Sequence, residues 1–326
     1  MTGRPSEAEW ERAVELLRTA REVVVACHVS PDGDALGSAL AVGIALQRLG
    51  KRVYASFGDD PFVVPEVLAF LPGQDLLVPP AEVPAAPELL VTFDTGSVDR
   101  LGLLGSRVTD AAATLVVDHH ATNTRFGTDL LLDVTEAATA VMALELVDRL
   151  GVELDKDIAT CVYTGLTTDT GSFRFAATTP EVHEIAARLL RAGVEHDLIA
   201  RRIFDTKSFG YLQLLGAALS RAVLEPKLVW TAVTAEDRRR HAVPLDAVEA
   251  VIGVLRLTAE RDVAVVCKQD DAGCWVVSTR SKGEVDVGAV CVGLGGGGHR
   301  FAAGFTGTSD LDETLGRLRA ALPDPQ

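Results

Sequence analysis

The chain has 326 residues, 48% hydrophobic and 24% charged, a composition that suits a globular protein of two domains and excludes a disordered one. Its 46 acidic against 31 basic residues give a formal charge of −15 with no basic stripe, so it is not built to track long nucleic acid, and any nucleotide ligand should be short. No apolar run approaches the ~20 residues of a membrane helix, and the acidic, apolar-poor start Arg4-Pro5-Ser6-Glu7 is unlike a signal peptide, which predicts a cytoplasmic protein.

In chain order, Glu22 to Ala26 is β-rich and leads through a Gly/Asp loop into a helical pattern from Ala35 to Leu49. Arg52 to Ser56, Glu88 to Phe93 and Thr114 to Val117 predict further strands, each apolar on both faces. Such runs alternating with helices indicate a mostly parallel sheet flanked by helices. Pro79 to Pro87 reads as a surface connection, and the stretch from Glu136 to Ile203 turns helical, with a helix start at Thr179-Pro180. A helix from Thr206 to about Ala222 follows, then β-rich runs at Leu228–Val233, Val263–Lys268 and Cys274–Thr279. The expectation is an α/β catalytic domain over 1–200, a helical connector over 201–225, and a smaller α/β domain with a mixed sheet over 226–326. The five cysteines form no C-x-x-C pair and read as reduced core residues. The Arg238-Arg239-Arg240 run reads as a solvated face.

The chemistry gathers after the strands. The first strand runs into H-V-S-P-D-G-D, bringing His28, Asp32 and Asp34 to the carboxyl end, where open α/β sheets place ligands. Taken alone, this has a plainer second reading as a Pro-Asp-Gly turn capping a helix. The third strand ends at Asp94 and the fourth at Asp118-His119-His120, so three strand ends bring acids and imidazoles to one edge. Asp169 follows in T-T-D-T-G-S-F-R-F, with Arg174 close by. Carboxylates and imidazoles without thiolates favour Mn²⁺, Mg²⁺ or Co²⁺ over structural zinc. Six ligands suit two ions sharing a bridging carboxylate, the arrangement of two-metal phosphatases and nucleases. Near the C-terminus, the glycines from Gly295 to Gly298 precede His299 and Arg300. They read either as a flexible turn or as a place where backbone N–H groups meet an anion, with Arg280 and Lys282 nearby.

These motifs, from His28 to Phe305, resemble in order those of the DHH phosphoesterase family with its associated C-terminal domain, most closely the oligoribonucleases that also dephosphorylate 3′-phosphoadenosine 5′-phosphate. The resemblance implies that His28 and Asp32 bind one ion, that Asp34, His119 and Asp169 bind the other, and that Asp94 bridges them. His120 would face the scissile phosphate, and Asp118 would orient its neighbours. Arg280, Lys282, Gly297, Gly298, His299 and Arg300 would bind the substrate end remote from the cut. Two divalent ions, Mn²⁺ foremost, are the implied cofactors. Short oligoribonucleotides and small nucleotides are the implied ligands, without long nucleic acid or membrane. Similar proteins are often homodimers, and the connector offers a face for a second subunit. The alternatives are hydrolysis of cyclic dinucleotides or their linear product pApA, an inorganic pyrophosphatase, and a non-catalytic nucleotide sensor.

Overall fold

The computed structural model describes residues 4–324, which divide into two compact units between Thr206 and Lys207. In the first unit, runs of Val, Leu and Ala form five strands: β1 (Glu22–Cys27), β2 (Arg52–Phe57), β3 (Leu89–Phe93), β4 (Thr114–Asp118) and β5 (Asp129–Leu132). They pair in the order β2-β1-β3-β4-β5, every pair parallel. All carboxyl ends therefore share one edge. Seven helices accompany them: α1 (Glu7–Thr19), α2 (Gly33–Arg48), the short α3 (Arg107–Asp110), α4 (Thr139–Leu150), α5 (Lys156–Asp169), α6 (Pro180–Arg191) and α7 (His196–Phe204).

The two faces of this sheet are covered unequally. On one, Val23, Val25, Val91, Phe93, Leu115 and Val117 pack against the main helical layer. On the other, Val24, Ala26 and Leu90 meet Leu101, Leu104 and Val83 from turns and short helical segments. α2 is buried at every residue from Gly33 to Leu46, which explains its run of Ala, Gly and Leu without a polar face. Its N-terminus is capped by Asp32, whose side chain accepts the N–H groups of Asp34 and Ala35.

The second unit carries a mixed six-stranded sheet in the order β10-β11-β9-β8-β7-β6. Its strands are β6 (Val223–Leu224), β7 (Leu228–Val233), β8 (Val263–Gln269), β9 (Trp275–Ser281), β10 (Gly297–His299) and β11 (Ala302–Thr306). Its helices are α8 (Phe209–Ser220), α9 (Ala235–His241), α10 (Val251–Leu255), α11 (Val287–Gly293) and α12 (Leu311–Ala321). Residues 201–225 do not stand apart as a connector. α7 closes the first unit, whereas Tyr211, Leu214 and Ala218 of α8 pack with Val229, Val233 and Val266 in the second. The arginine run is likewise not wholly solvated. Arg238 is buried, with Nε donating to the Gln269 carbonyl and Nη2 to Asp271 at 2.5 Å, because the first turn of α9 lies against the end of β8.

Candidate metal centre

The carboxyl edge of the first sheet gathers the side chains that the strand ends carry. His28 follows β1, Asp32 and Asp34 open α2, Asp94 follows β3, His119 and His120 follow β4, and Asp169 ends α5. Ligand atoms of His28, Asp32 and Asp94 lie within 4.8 Å of one another, and so do those of Asp34, His119 and Asp169. Asp94, a member of the first group, also reaches towards the second. Its Oδ2 is 3.6 Å from His28 Nε2, and its Oδ1 is 3.5 Å from His119 Nε2. The residue is buried and adopts a left-handed φ of 53°, an uncommon conformation for aspartate that points to a backbone shaped by the site.

Both outer imidazoles are tethered through Nδ1. His28 Nδ1 is 2.8 Å from the Val29 carbonyl, with Arg100 Nη2 at 3.2 Å, and His119 Nδ1 is 3.1 Å from the Glu136 carbonyl. With Nδ1–H donated to a carbonyl, each ring turns Nε2 to the carboxylates, so that loss of the Nε2 proton gives the tautomer a metal-bound histidine adopts. Burial disfavours the cationic form of both rings, but neighbouring carboxylates outweigh it. Hydrogen bonds to Asp32 and Asp94 raise His28 to about 10, and Asp169 with Asp34 and Asp94 raises His119 to about 11. Without metal, then, protonated imidazoles supply the positive charge this edge needs.

Asp34 shows the same need. It is fully buried, and burial, reinforced by the charges of Asp94 and Asp169, pushes its carboxyl well above the usual range. Its partners come from the first turn of α4. Thr139 N–H donates to Oδ2 at 2.7 Å and Ala140 N–H to Oδ1 at 2.8 Å. Thr139 Oγ also donates to Asp94 Oδ1 at 3.0 Å. This use of a helix N-terminus as an anion site is absent from the sequence reading, because Glu136-Ala137-Ala138 carries no capping side chain to signal it.

Asp118 and His120 form a separate couple. Asp118 is fully buried and accepts from His120 Nδ1 at 2.7 Å, Asn123 Nδ2 at 2.6 Å and the His119 N–H at 2.9 Å. Burial raises its carboxyl, yet His120 and Asn123 outweigh it and hold it below the ordinary value. His120 moves upward in turn, since its bond to Asp118 and the charge of Asp94 overcome burial. Asn123 and Thr139 donate to the candidate site carboxylates Asp118 and Asp94, and neither was singled out from the sequence.

In the second unit, the candidate substrate residues fall into two sets. β10 pairs His299 with Ala302, and β9 pairs Ala302 with Arg280, so His299 and Arg280 flank a small residue in one row on one sheet face. Gly297 lies in the next row, opposite Gly304. Arg280 Nη2 donates to Glu249 Oε1 at 2.9 Å, while Glu249 Oε2 also accepts from Lys268 and Ser278. Lys282 and Arg300 lie off that row: Lys282 Nζ donates to the Thr258 carbonyl, and the Arg300 guanidinium sits 5.2 Å from the Phe301 ring. The second half of the glycine run, Gly297 and Gly298, belongs to a hairpin strand, while Gly295 and Gly296 precede it in a turn. At Gly298, φ is 135° and a Cβ would stand 2.5 Å from Ala303 Cα, so close backbone approach demands glycine there.

Comparison with known proteins adds to this geometry. The model of the DHH family, N-terminal domain, matches residues 22–166, and that of the DHHA1 domain matches 228–323. A bifunctional oligoribonuclease and PAP phosphatase of Thermus thermophilus is 38% identical across 98% of this chain and 95% of its own. An exopolyphosphatase-related protein from Bacteroides fragilis has the same fold, with a TM-score of 0.90 at 22% identity over 97% of this chain and 96% of its own. The exonuclease RecJ of Thermus thermophilus, solved with Mn²⁺, matches with a TM-score of 0.61 at 17% identity over 100% of this chain and 56% of its own.

Proposed function

The chain belongs to the DHH family of phosphoesterases, and from that membership we propose that it hydrolyses short oligoribonucleotides to mononucleotides and converts 3′-phosphoadenosine 5′-phosphate to AMP. The observation that carries this reading is Asp94, a buried carboxylate with Oδ2 facing His28 and Oδ1 facing His119.

The residues present fit a pair of hard cations. Every candidate ligand is a carboxylate oxygen or an imidazole nitrogen, both outer imidazoles turn Nε2 to the cluster, and Asp34 is buried without a cationic side chain bonded to it. His28 and Asp32 would hold one ion, Asp34, His119 and Asp169 the other, and Asp94 both. Mn²⁺ is the ion we favour, with Mg²⁺ and Co²⁺ chemically close. When bound, such ions activate water and neutralise charge on the phosphoryl oxygens.

The chain's own groups then have distinct tasks. Asp118 holds the Nδ1–H of His120 and turns Nε2 to the opposite side of the ring. From Nε2 a proton stabilises a non-bridging oxygen or passes to the departing nucleoside oxygen. Thr139 and the first turn of α4 keep Asp34 and Asp94 in place. In the second unit, Arg280 and His299 hold the substrate end away from the cut, with Gly297 and Gly298 shaping the strand beside them. Lys282 and Arg300 complete that set at its margin.

The test is mononucleotide release from a labelled ribonucleotide series of increasing length, with Mn²⁺ and with EDTA. Release from the shortest members, abolished by EDTA, is the expected result. RNA left intact by Mn²⁺-loaded protein, with turnover of pyrophosphate or a cyclic dinucleotide instead, would replace this reading.

A further inference from the structure

We infer that Arg174 is a substrate-binding residue, its guanidinium clamping a phosphate beside Asp169; the inference rests on the phosphoesterase reading above and gives a role to a residue of the T-T-D-T-G-S-F-R-F motif that had none.

The backbone supplies the first argument. After α5 ends at Asp169, three successive residues take left-handed angles: Gly171 at φ 56°, Ser172 at 61° and Phe173 at 63°. A helix usually ends with one such residue, a glycine. Two non-glycine residues there, one an aromatic, are strained, and strain of this kind persists only where the surroundings impose it. Here they do. The buried Thr170 accepts the Phe173 N–H on Oγ at 2.9 Å, and its carbonyl accepts the N–H groups of Arg174 and Phe175 at 2.9 and 3.1 Å. Ser172 N–H donates to the Thr167 carbonyl at 2.7 Å. The Phe173 ring is wedged between Tyr163, 6.0 Å away, and His183, stacked at 5.4 Å.

This tightly held turn brings Arg174 back over its own chain. Its Nε donates to the Gly171 carbonyl at 2.6 Å, two residues beyond Asp169. That bond occupies one of five N–H donors and fixes the plane of the guanidinium, leaving the two terminal nitrogens as a fork. Among the described residues, no carboxylate lies within ion-pair distance of Arg174, whereas Arg12, Arg149, Arg188 and Arg221 each hold one. A cation held five residues after a candidate metal ligand, with no carboxylate paired to it, is available to an anion that the ligand cluster recruits. A planar fork matches two oxygens of one phosphate better than it matches a point charge.

Arg174→Gln removes the charge from an exposed side chain and should leave the fold intact. The expected result is a KM for a short oligoribonucleotide raised about 10- to 100-fold, as for a lost charged hydrogen bond. The logarithmic salt dependence of KM should also flatten by about 0.7, the increment for one phosphate contact on a single strand. Arg174→Lys should recover the salt slope but only part of the affinity. Mn²⁺ affinity should not change in either variant. Binding of AMP to the Mn²⁺-loaded protein, measured calorimetrically, repeats the comparison without turnover. An unaltered KM and AMP affinity in Arg174→Gln overturns the inference, and so does a parallel loss of Mn²⁺ affinity, which would make Arg174 a support for Asp169. Wild-type protein inert towards RNA would instead count against the proposed function, with AMP binding still deciding the role of Arg174.

Discussion

Asp118 shows what a single residue contributes without touching an ion. Its fully buried carboxylate receives three donors, and the one from His120 Nδ1, at 2.7 Å, fixes the tautomer of that ring. Asp118→Asn keeps the shape but turns an N–H₂ or a weaker acceptor towards His120 Nδ1, so the ring loses its fixed proton placement. Removing such an orienting partner typically costs 10–100-fold in activity. The expected outcome is a kcat reduced about 10- to 100-fold with two Mn²⁺ still bound per chain by elemental analysis. Unchanged kcat would remove the Asp118–His120 couple from the mechanism. At this scale the sequence was informative about side chains that end strands, because strand ends in a parallel sheet converge whatever the loops do. It was silent on Thr139 and Asn123, whose roles depend on a helix start and a loop that carry no distinctive residue pattern, and it placed Arg174 near Asp169 without a role.

The elements that carry these residues are held at unusually short range. α2 and α5 cross with almost no side chains between them. A Cβ on Gly37 would stand 2.5 Å from the Cys161 carbonyl oxygen, and a Cβ on Gly165 would stand 2.7 Å from both Asp34 Oδ1 and Ala140 Cβ. The glycines therefore set the distance between Asp34 at the start of α2 and Asp169 at the end of α5. Gly165→Ala should force Asp34 aside as well as overpack the helices, at a cost of about 1–3 kcal/mol. We expect a lower Tm together with weaker Mn²⁺ binding by calorimetry; weaker folding with normal metal affinity would show that the helix crossing and the metal site are independent. The central strands were legible because β-branched, doubly apolar runs have few other uses. β5 was missed because Asp129–Leu132 is short and only partly buried, and β10 because glycine carries no hydrophobic period. α8 read as a connector because its apolar residues run nearly all round the helix, and only the packing of Tyr211, Leu214 and Ala218 reveals its allegiance.

Across the whole molecule, the acidic residues are unevenly matched by cations. At the first unit's carboxyl edge, Asp34, Asp94 and Asp169 crowd together, offset chiefly by the imidazoles of His28, His119 and His120. Like charges so placed weaken the folded state unless a cation or protons join them. Divalent metal should therefore stabilise the first unit by mass action, about 2.7 kcal/mol at a hundredfold excess over Kd. The residues involved follow β1, β3 and β4 and belong to α2 and α5, so the gain should spread through that sheet and its helices. The second unit has its own hydrophobic clusters and none of these ligands. Hydrogen exchange with and without Mn²⁺ separates the two. Slower exchange in β1, β3, β4, α2 and α5, with β7, β8 and β9 unchanged, is the expected pattern. Histidines that must shed protons to accept metal make the effect pH-dependent, since raised values near 10 and 11 mean that falling pH strengthens the proton's competition. The same protection measured at pH 6 should require more Mn²⁺ than at pH 8. Equal protection of both units, or none in the first, would mean that this edge is not where the metal binds.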